Sequence, residues 1–132
     1  MTAVAYVDAS ALAKLVMEES GSAAMVQWFV EAECVLTSRL GVIETHRAVA
    51  RQDAGLDPAR VDRVLRSIEV FELDAGIARH AASVGPASLR TLDAIHLATA
   101  LALGAELDAF VTYDDRLAEA ARAVGLPVVR PA

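Results

Sequence analysis

The sequence predicts a three-layer α/β/α sandwich built on a central parallel sheet of about five strands. Three observations predict it. Short apolar runs alternate with helical stretches along the chain, the order that right-handed crossovers between parallel strands produce. Turn and capping residues punctuate the junctions between them. The 132 residues suffice for one domain, placed at 1–132, to bury a core without disulfides.

The elements follow in order. Residues 4–7 are a short apolar strand ending at Asp8. Ser10 is placed to cap a helix over residues 11–17. A second helix follows Ser20-Gly21-Ser22 and carries Met25, Val26, Trp28 and Phe29. Residues 34–37 read as a second strand, and a long helix runs from about residue 40 to 53, stopping near Gly55. Asp57-Pro58 is a helix start, a capping acid followed by proline at the first helical position. Val61, Val64, Leu65 and Ile68 give that helix one apolar stripe. Residues 70–73 are a third strand, and Asp74 caps a helix to about residue 84, closed by Gly85-Pro86. Residues 91–103 are a helix ending at Gly104. Residues 109–112 are a fourth strand, Asp114 or Asp115 opens a helix to Val124, Gly125 stops it, and Val128-Val129 is a short last strand. No repeat, linker or low-complexity segment appears, apart from twenty-eight alanines spread along the chain.

Composition narrows the function classes. No uncharged apolar run reaches the roughly 18 residues of a membrane span. The opening MTAVAYVDAS has no basic segment before its apolar stretch, and Asp8 interrupts it, so no signal peptide is expected. Cys34 is the sole cysteine, which excludes an intramolecular disulfide and a cysteine-based zinc site and suits a reducing cytoplasm. Its place in Cys34-Val35-Leu36 reads as a buried structural thiol. The net charge is −6, with eleven arginines and one lysine, Lys14. An acidic chain is a poor generic nucleic-acid binder, because that affinity comes mostly from neutralised phosphates. Divalent cations held by the carboxylates reverse the local charge and weaken that objection.

In open parallel sheets function gathers at the carboxyl ends of the strands, which directs attention to four acids. Asp8 follows the first strand directly, where a turn or cap residue is equally at home. Glu44 shares a helix face with Arg47 and Ala48, so a surface Glu–Arg pair is its simpler reading. Asp93 lies in Leu92-Asp93-Ala94-Ile95-His96-Leu97-Ala98, a helix apolar nearly all round. A lone charge there must be paired, neutralised or metal-bound, unless it is an early-turn acid favoured by the helix dipole. Asp114 and Asp115 follow the fourth strand, and one cap does not need both. Several carboxylates within a few ångströms repel one another. A bound Mg²⁺ or Mn²⁺ resolves that conflict with hard oxygen ligands and lowers the pKa of a water it retains. His46, His80 and His96 are dispersed. His96 is one turn from Asp93 and within reach of it, although a packed helix histidine is the simpler reading. No Gly-x-Ser-x-Gly elbow and no Gly-rich loop after the first strand is present, which argues against serine hydrolase, P-loop and Rossmann readings.

Four segments together carry a family resemblance. They are Val7-Asp8-Ala9-Ser10-Ala11-Leu12, the Arg39-Leu40-x-x-x-Glu44 helix, Leu92-Asp93-Ala94-Ile95-His96-Leu97-Ala98, and Val111-Thr112-Tyr113-Asp114-x-Arg116-Leu117. In order and spacing, over essentially the whole chain, they resemble PIN-domain proteins, specifically VapC-type toxins of toxin–antitoxin pairs. The resemblance implies that Asp8, Glu44, Asp93 and Asp114 hold one or two Mg²⁺ or Mn²⁺ ions. Ser10 and Thr112 match the hydroxyl residues that accompany the acids, and Asp115 either joins the site or caps the helix. The implied reaction is endonucleolytic hydrolysis of RNA by metal-activated water, in line, leaving 5′-phosphate and 3′-hydroxyl ends. Asp8 and Asp93 are the principal ligands in this reading. Glu44 binds metal or orients the water, and Asp114 completes the cluster. Arg90 and Arg116 steer phosphates or form surface ion pairs. The resemblance also implies a homodimer in the cytoplasm and a VapB-type antitoxin whose tail places a basic side chain near the acids. Met25, Val26, Trp28 and Phe29 are candidates for the apolar surface that such a tail covers, against ordinary core packing.

Three other readings fit the sequence less well. A receiver-type phospho-acceptor domain needs an acidic pair after the first strand and a late lysine; this chain offers Asp8 alone and Lys14. A structure-specific DNA nuclease needs clamping helices for which 132 residues leave little room. A non-catalytic PIN-like binding domain would not need all four acids.

Overall fold

A computed structural model describes residues 3–132. Five strands, β1 (Val4–Val7), β2 (Cys34–Ser38), β3 (Glu69–Phe71), β4 (Ala109–Val111) and β5 (Val128–Val129), form one sheet in the order β3-β2-β1-β4-β5. Every pairing is parallel, with Tyr6 opposite Leu36 on one side and Phe110 on the other. Seven helices connect them: α1 (Ala9–Val16), α2 (Ser22–Glu31), α3 (Arg39–Gln52), α4 (Pro58–Leu65), α5 (Ala75–Ala81), α6 (Thr91–Leu101) and α7 (Asp115–Ala123). The predicted architecture is the observed one.

Residue alternation along the central strands explains why both faces are covered. Tyr6 and Phe110 point to a core shared with Leu97 and Ala100 of α6 and Leu117 and Ala121 of α7. Their neighbours Ala5, Val7, Ala109 and Val111 point the other way, to Leu12 of α1 and Met25 of α2. A smaller cluster, with Val16, Val49 and Val61, ties α1 to α3 and α4. The chain reverses direction in the sheet at β1, which joins β2 on one edge and β4 on the other. Their carboxyl ends therefore border the crevice that such a switch point creates.

Several boundaries differ from expectation. α1 begins at Ala9 because the Asp8 carboxylate, not Ser10, caps it, accepting from the Ala11 amide. β3 ends at Phe71, the last residue in register with β2, which leaves Leu73 half exposed. α5 ends at Ala81, and the chain turns through Gly85 at φ +69°. α6 ends at Leu101, and Gly104 at φ +58° starts a 3-10 turn, Gly104–Glu106, that the apolar run concealed. Met25 is fully buried and Trp28 and Phe29 pack partly into the second core, so of the four candidates for an apolar surface on α2 only Val26 is exposed. Cys34 is half-buried, and burial and the charges of Glu69 and Glu33 hold its thiol above the ordinary range. No helix among the described residues is long and apolar enough to cross a membrane.

Candidate active site

Asp8 stands where β1 gives way to α1, in the crevice between β1 and β4. It is buried, 3% exposed, and both its oxygens are acceptors. Oδ1 accepts from the Ser10 hydroxyl at 2.7 Å and the Ala11 amide at 3.0 Å, and Oδ2 accepts from the Thr112 hydroxyl at 2.6 Å. Burial raises the Asp8 carboxyl above the ordinary range, against the opposing pull of Thr112 and Ser10. The two hydroxyls also brace the end of β4: Ser10 accepts from the Tyr113 amide at 2.8 Å, and Thr112 from the Asp114 amide at 3.0 Å. Asp114 itself caps α7, accepting from the amides of Arg116 and Leu117. Thr112 thus joins Asp8 to the backbone of Asp114 across 104 residues of sequence between itself and Asp8.

Asp93 enters from α6. It lies in that helix's first turn and is only partly buried, so the fully buried charge inferred from its apolar neighbours is not what the fold makes. Leu92 beside it is half exposed, and the continuous buried run begins at Ala94. Desolvation raises the Asp93 carboxyl, the charge of Asp114 adds to it, and that of Glu44 acts in the same direction. The charges of two acids, Glu44 on α3 and Asp114 after β4, therefore act on a third, Asp93 on α6.

Glu44 enters from α3. Its partner is not Arg47 but His96, whose Nε2 lies 2.6 Å from Oε1. The other ring nitrogen, Nδ1, lies 2.6 Å from the buried Tyr6 hydroxyl. His96 thus bonds to Glu44, not to the nearby Asp93. Gly41, one turn before Glu44, lets α3 approach: a Cβ there would collide with Thr37 Oγ1 and stand 3.5 Å from His96 Cε1.

The remaining predicted residues separate. Arg90 and Arg116 are exposed, join no ion pair among the described residues, and line a cleft of about 520 Å³ with Asp93. Asp115 points elsewhere: its carboxylate, 90% exposed, is held by Arg130 at 2.7 Å, and it does not cap α7. Sequence reasoning missed a second cleft, of about 350 Å³, lined by Ser10, Lys14, Glu44, Arg51 and Tyr113. It also missed the Tyr6–His96 pair, whose only sequence signal was a polar ring in an otherwise apolar helix. Among the described residues no three His, Cys, Asp or Glu side chains form a ready-made metal cage.

Comparison with known proteins identifies the family and agrees with the fold. The chain matches the PIN domain family over residues 5–123. It is 46% identical over 131 residues to Ribonuclease VapC35 of Mycobacterium tuberculosis, with 96% of each chain covered. Among solved structures, Mycobacterium tuberculosis VapC20, described as a Sarcin-Ricin loop cleaving toxin, superposes with a TM-score of 0.73 at 20% identity, covering 96% of this chain and 99% of that one. VapBC2 from Rickettsia felis, bound to a DNA fragment from its promoter, gives 0.72 at 12% identity, covering 98% and 99%. The receiver-type reading falls, and the chain belongs to the PIN-domain family, within its VapC ribonucleases.

Proposed function

We propose that this VapC ribonuclease is a divalent-cation-dependent endoribonuclease, the toxin of a type II toxin–antitoxin pair in the cytoplasm, with Asp8, Glu44, Asp93 and Asp114 as its catalytic acids. The observation that supports this reading is that Asp8 and Asp114 follow the adjacent strands β1 and β4, while the charges of Asp114 and Glu44 both act on Asp93 of α6.

The donor set fits Mg²⁺ or Mn²⁺, since all four groups are hard oxygen ligands. Asp93 and Asp114 repel each other, a conflict that a cation relieves. Asp8 accepts three hydrogen bonds and keeps lone pairs to spare, because a carboxylate offers about four acceptor sites. When bound, a divalent cation neutralises phosphoryl charge and lowers the pKa of a water. The protein's own share is positional. Ser10 and Thr112 hold Asp8 rigid, α7 holds Asp114 through its cap, and Glu44 is available to orient the attacking water. Arg90 and Arg116, which join no ion pair among the described residues, line the larger cleft with Asp93 and are available to attract phosphates along it.

A VapB-type antitoxin is the proposed partner, because an acidic crevice on a chain of net charge −6 suits a basic side chain, and a homodimer is the proposed assembly. The test is expression of wild type beside Asp8→Asn and Asp93→Asn, with new RNA 5′ ends mapped and Mn²⁺ binding followed by calorimetry. Each variant should keep its fold and lose cleavage by roughly 10²–10⁴-fold, the range for a positioned acid–base group. Full activity in both variants sinks the assignment.

A further inference from the structure

A polar chain crosses the core and ends at the acidic edge, and the roles assigned above leave two of its three members without a task. Tyr6 is fully buried, stacked on Phe110 at 5.4 Å between centroids and edge-on to His96 at 5.7 Å. His96 is 2% exposed, and its two nitrogens are both engaged, one by Tyr6 and one by Glu44. Among the described residues no buried side-chain nitrogen or oxygen lacks a partner, so the two buried groups satisfy each other. Apolar side chains would fill the same volume without that constraint.

The direction of the hydrogens follows from the partners. The Tyr6 phenol has a hydrogen to give, and Nδ1 is within reach. The imidazole then carries its hydrogen on Nε2, facing the Glu44 carboxylate. Acceptance by Oε1 fixes the carboxylate, while Oε2 has no hydrogen-bond partner among the described residues and Glu44 lines the smaller cleft. We propose that His96, its tautomer set by Tyr6, is a positioning residue that holds Glu44 with one oxygen engaged and the other presented to the cleft. The proposal rests on the catalytic role given to Glu44 above.

The experiment compares wild type with Tyr6→Phe, His96→Leu, His96→Gln and Glu44→Gln. Long-range ¹H–¹⁵N spectra read the His96 tautomer in metal-free protein, calorimetry reads Mn²⁺ binding, and cleavage of total RNA reads activity. Wild type should show hydrogen on Nε2, and Tyr6→Phe should lose that single state while keeping the ring stack. His96→Leu should weaken Mn²⁺ binding or cleavage by roughly 10–100-fold, as loss of a supporting hydrogen bond does at metal sites. Tyr6→Phe should show a smaller loss in the same direction. His96→Gln should recover most of the loss, since its amide can donate toward Glu44. A bare Nε2 in wild type overturns the proposal. So does a His96→Leu protein that matches wild type in both assays while Glu44→Gln is impaired. If His96→Leu fails to fold, the wild-type spectrum and Tyr6→Phe decide the question. Full activity in Glu44→Gln and Asp93→Asn together is the separate signature that the underlying function is wrong.

Discussion

Thr112 shows how much of the crevice rests on single hydroxyls. It is fully buried, donates to Asp8 at 2.6 Å and accepts from the Asp114 amide at 3.0 Å. Thr112→Val keeps the shape and removes both bonds, leaving a carboxylate oxygen under-satisfied at a cost of about 1–3 kcal/mol. Thermal or urea denaturation should show that loss, and RNA cleavage should fall more steeply than stability, because Asp8 loses its fixed orientation. Unchanged stability would mean that a water replaces the hydroxyl. At this scale the sequence is legible in part. Asp8 and Asp114 announce themselves by position after apolar strands, and both prove to be helix caps as well as candidate ligands. The two readings never competed, since a capping carboxylate retains acceptor capacity. The partner of Glu44 was not legible, because His96 is 52 residues away and nothing local pairs them.

Helix α3 carries the clearest consequence at the scale of elements. It packs against α1 on one side and α6 on the other, so its depth in that groove sets where Glu44 reaches the crevice. Gly41 sets that depth. Thr37 Oγ1, the atom a new Cβ would strike, is pinned by its donation to the Val7 carbonyl at 2.8 Å and cannot yield cheaply. Gly41→Ala therefore trades a helix-propensity gain of about 1 kcal/mol against an overpacking cost of about 1–3 kcal/mol. The expected net result is lower stability by denaturation and a displaced Glu44, seen as weaker Mn²⁺ binding. A more stable variant with normal binding would show that α3 is free to shift. Interior glycine in a helix was visible in the sequence, but the need for it was not, since that need arises from β2 beneath. Helix starts were easier to read than ends. Asp57-Pro58 and Asp74 cap as expected, whereas the apolar run 91–103 hid the break after Leu101.

For the whole molecule, alternating strands and helices made the parallel sheet legible, but not the order β3-β2-β1-β4-β5, which depends on the side toward which each crossover folds. That order sets the ends of β1 and β4 side by side, with Asp8 and Asp114 following them, and the raised acids at the site have a thermodynamic consequence. The Asp93 carboxyl is raised above the ordinary aspartate value of 3.8, chiefly by desolvation and then by Asp114, and the buried Asp8 is shifted in the same direction. The folded state therefore holds protons that the unfolded state has already released. Their contribution to stability is greatest below 3.8 and is lost as pH rises through the higher folded values. In chelator, stability should carry this falling component over the acid range. Mn²⁺ should oppose it where the acids are ionised, adding ~1.4 kcal/mol at tenfold excess over Kd. That gain should vanish as pH drops and protons compete for the same oxygens. Asp93→Asn separates the two effects: it should raise the stability of the metal-free protein at neutral pH and abolish most of the Mn²⁺ gain. Thermal denaturation across pH 3–8, with chelator or Mn²⁺, measures both signs. A wild-type Tm indifferent to Mn²⁺ at neutral pH would mean that the four acids do not act as one cation site.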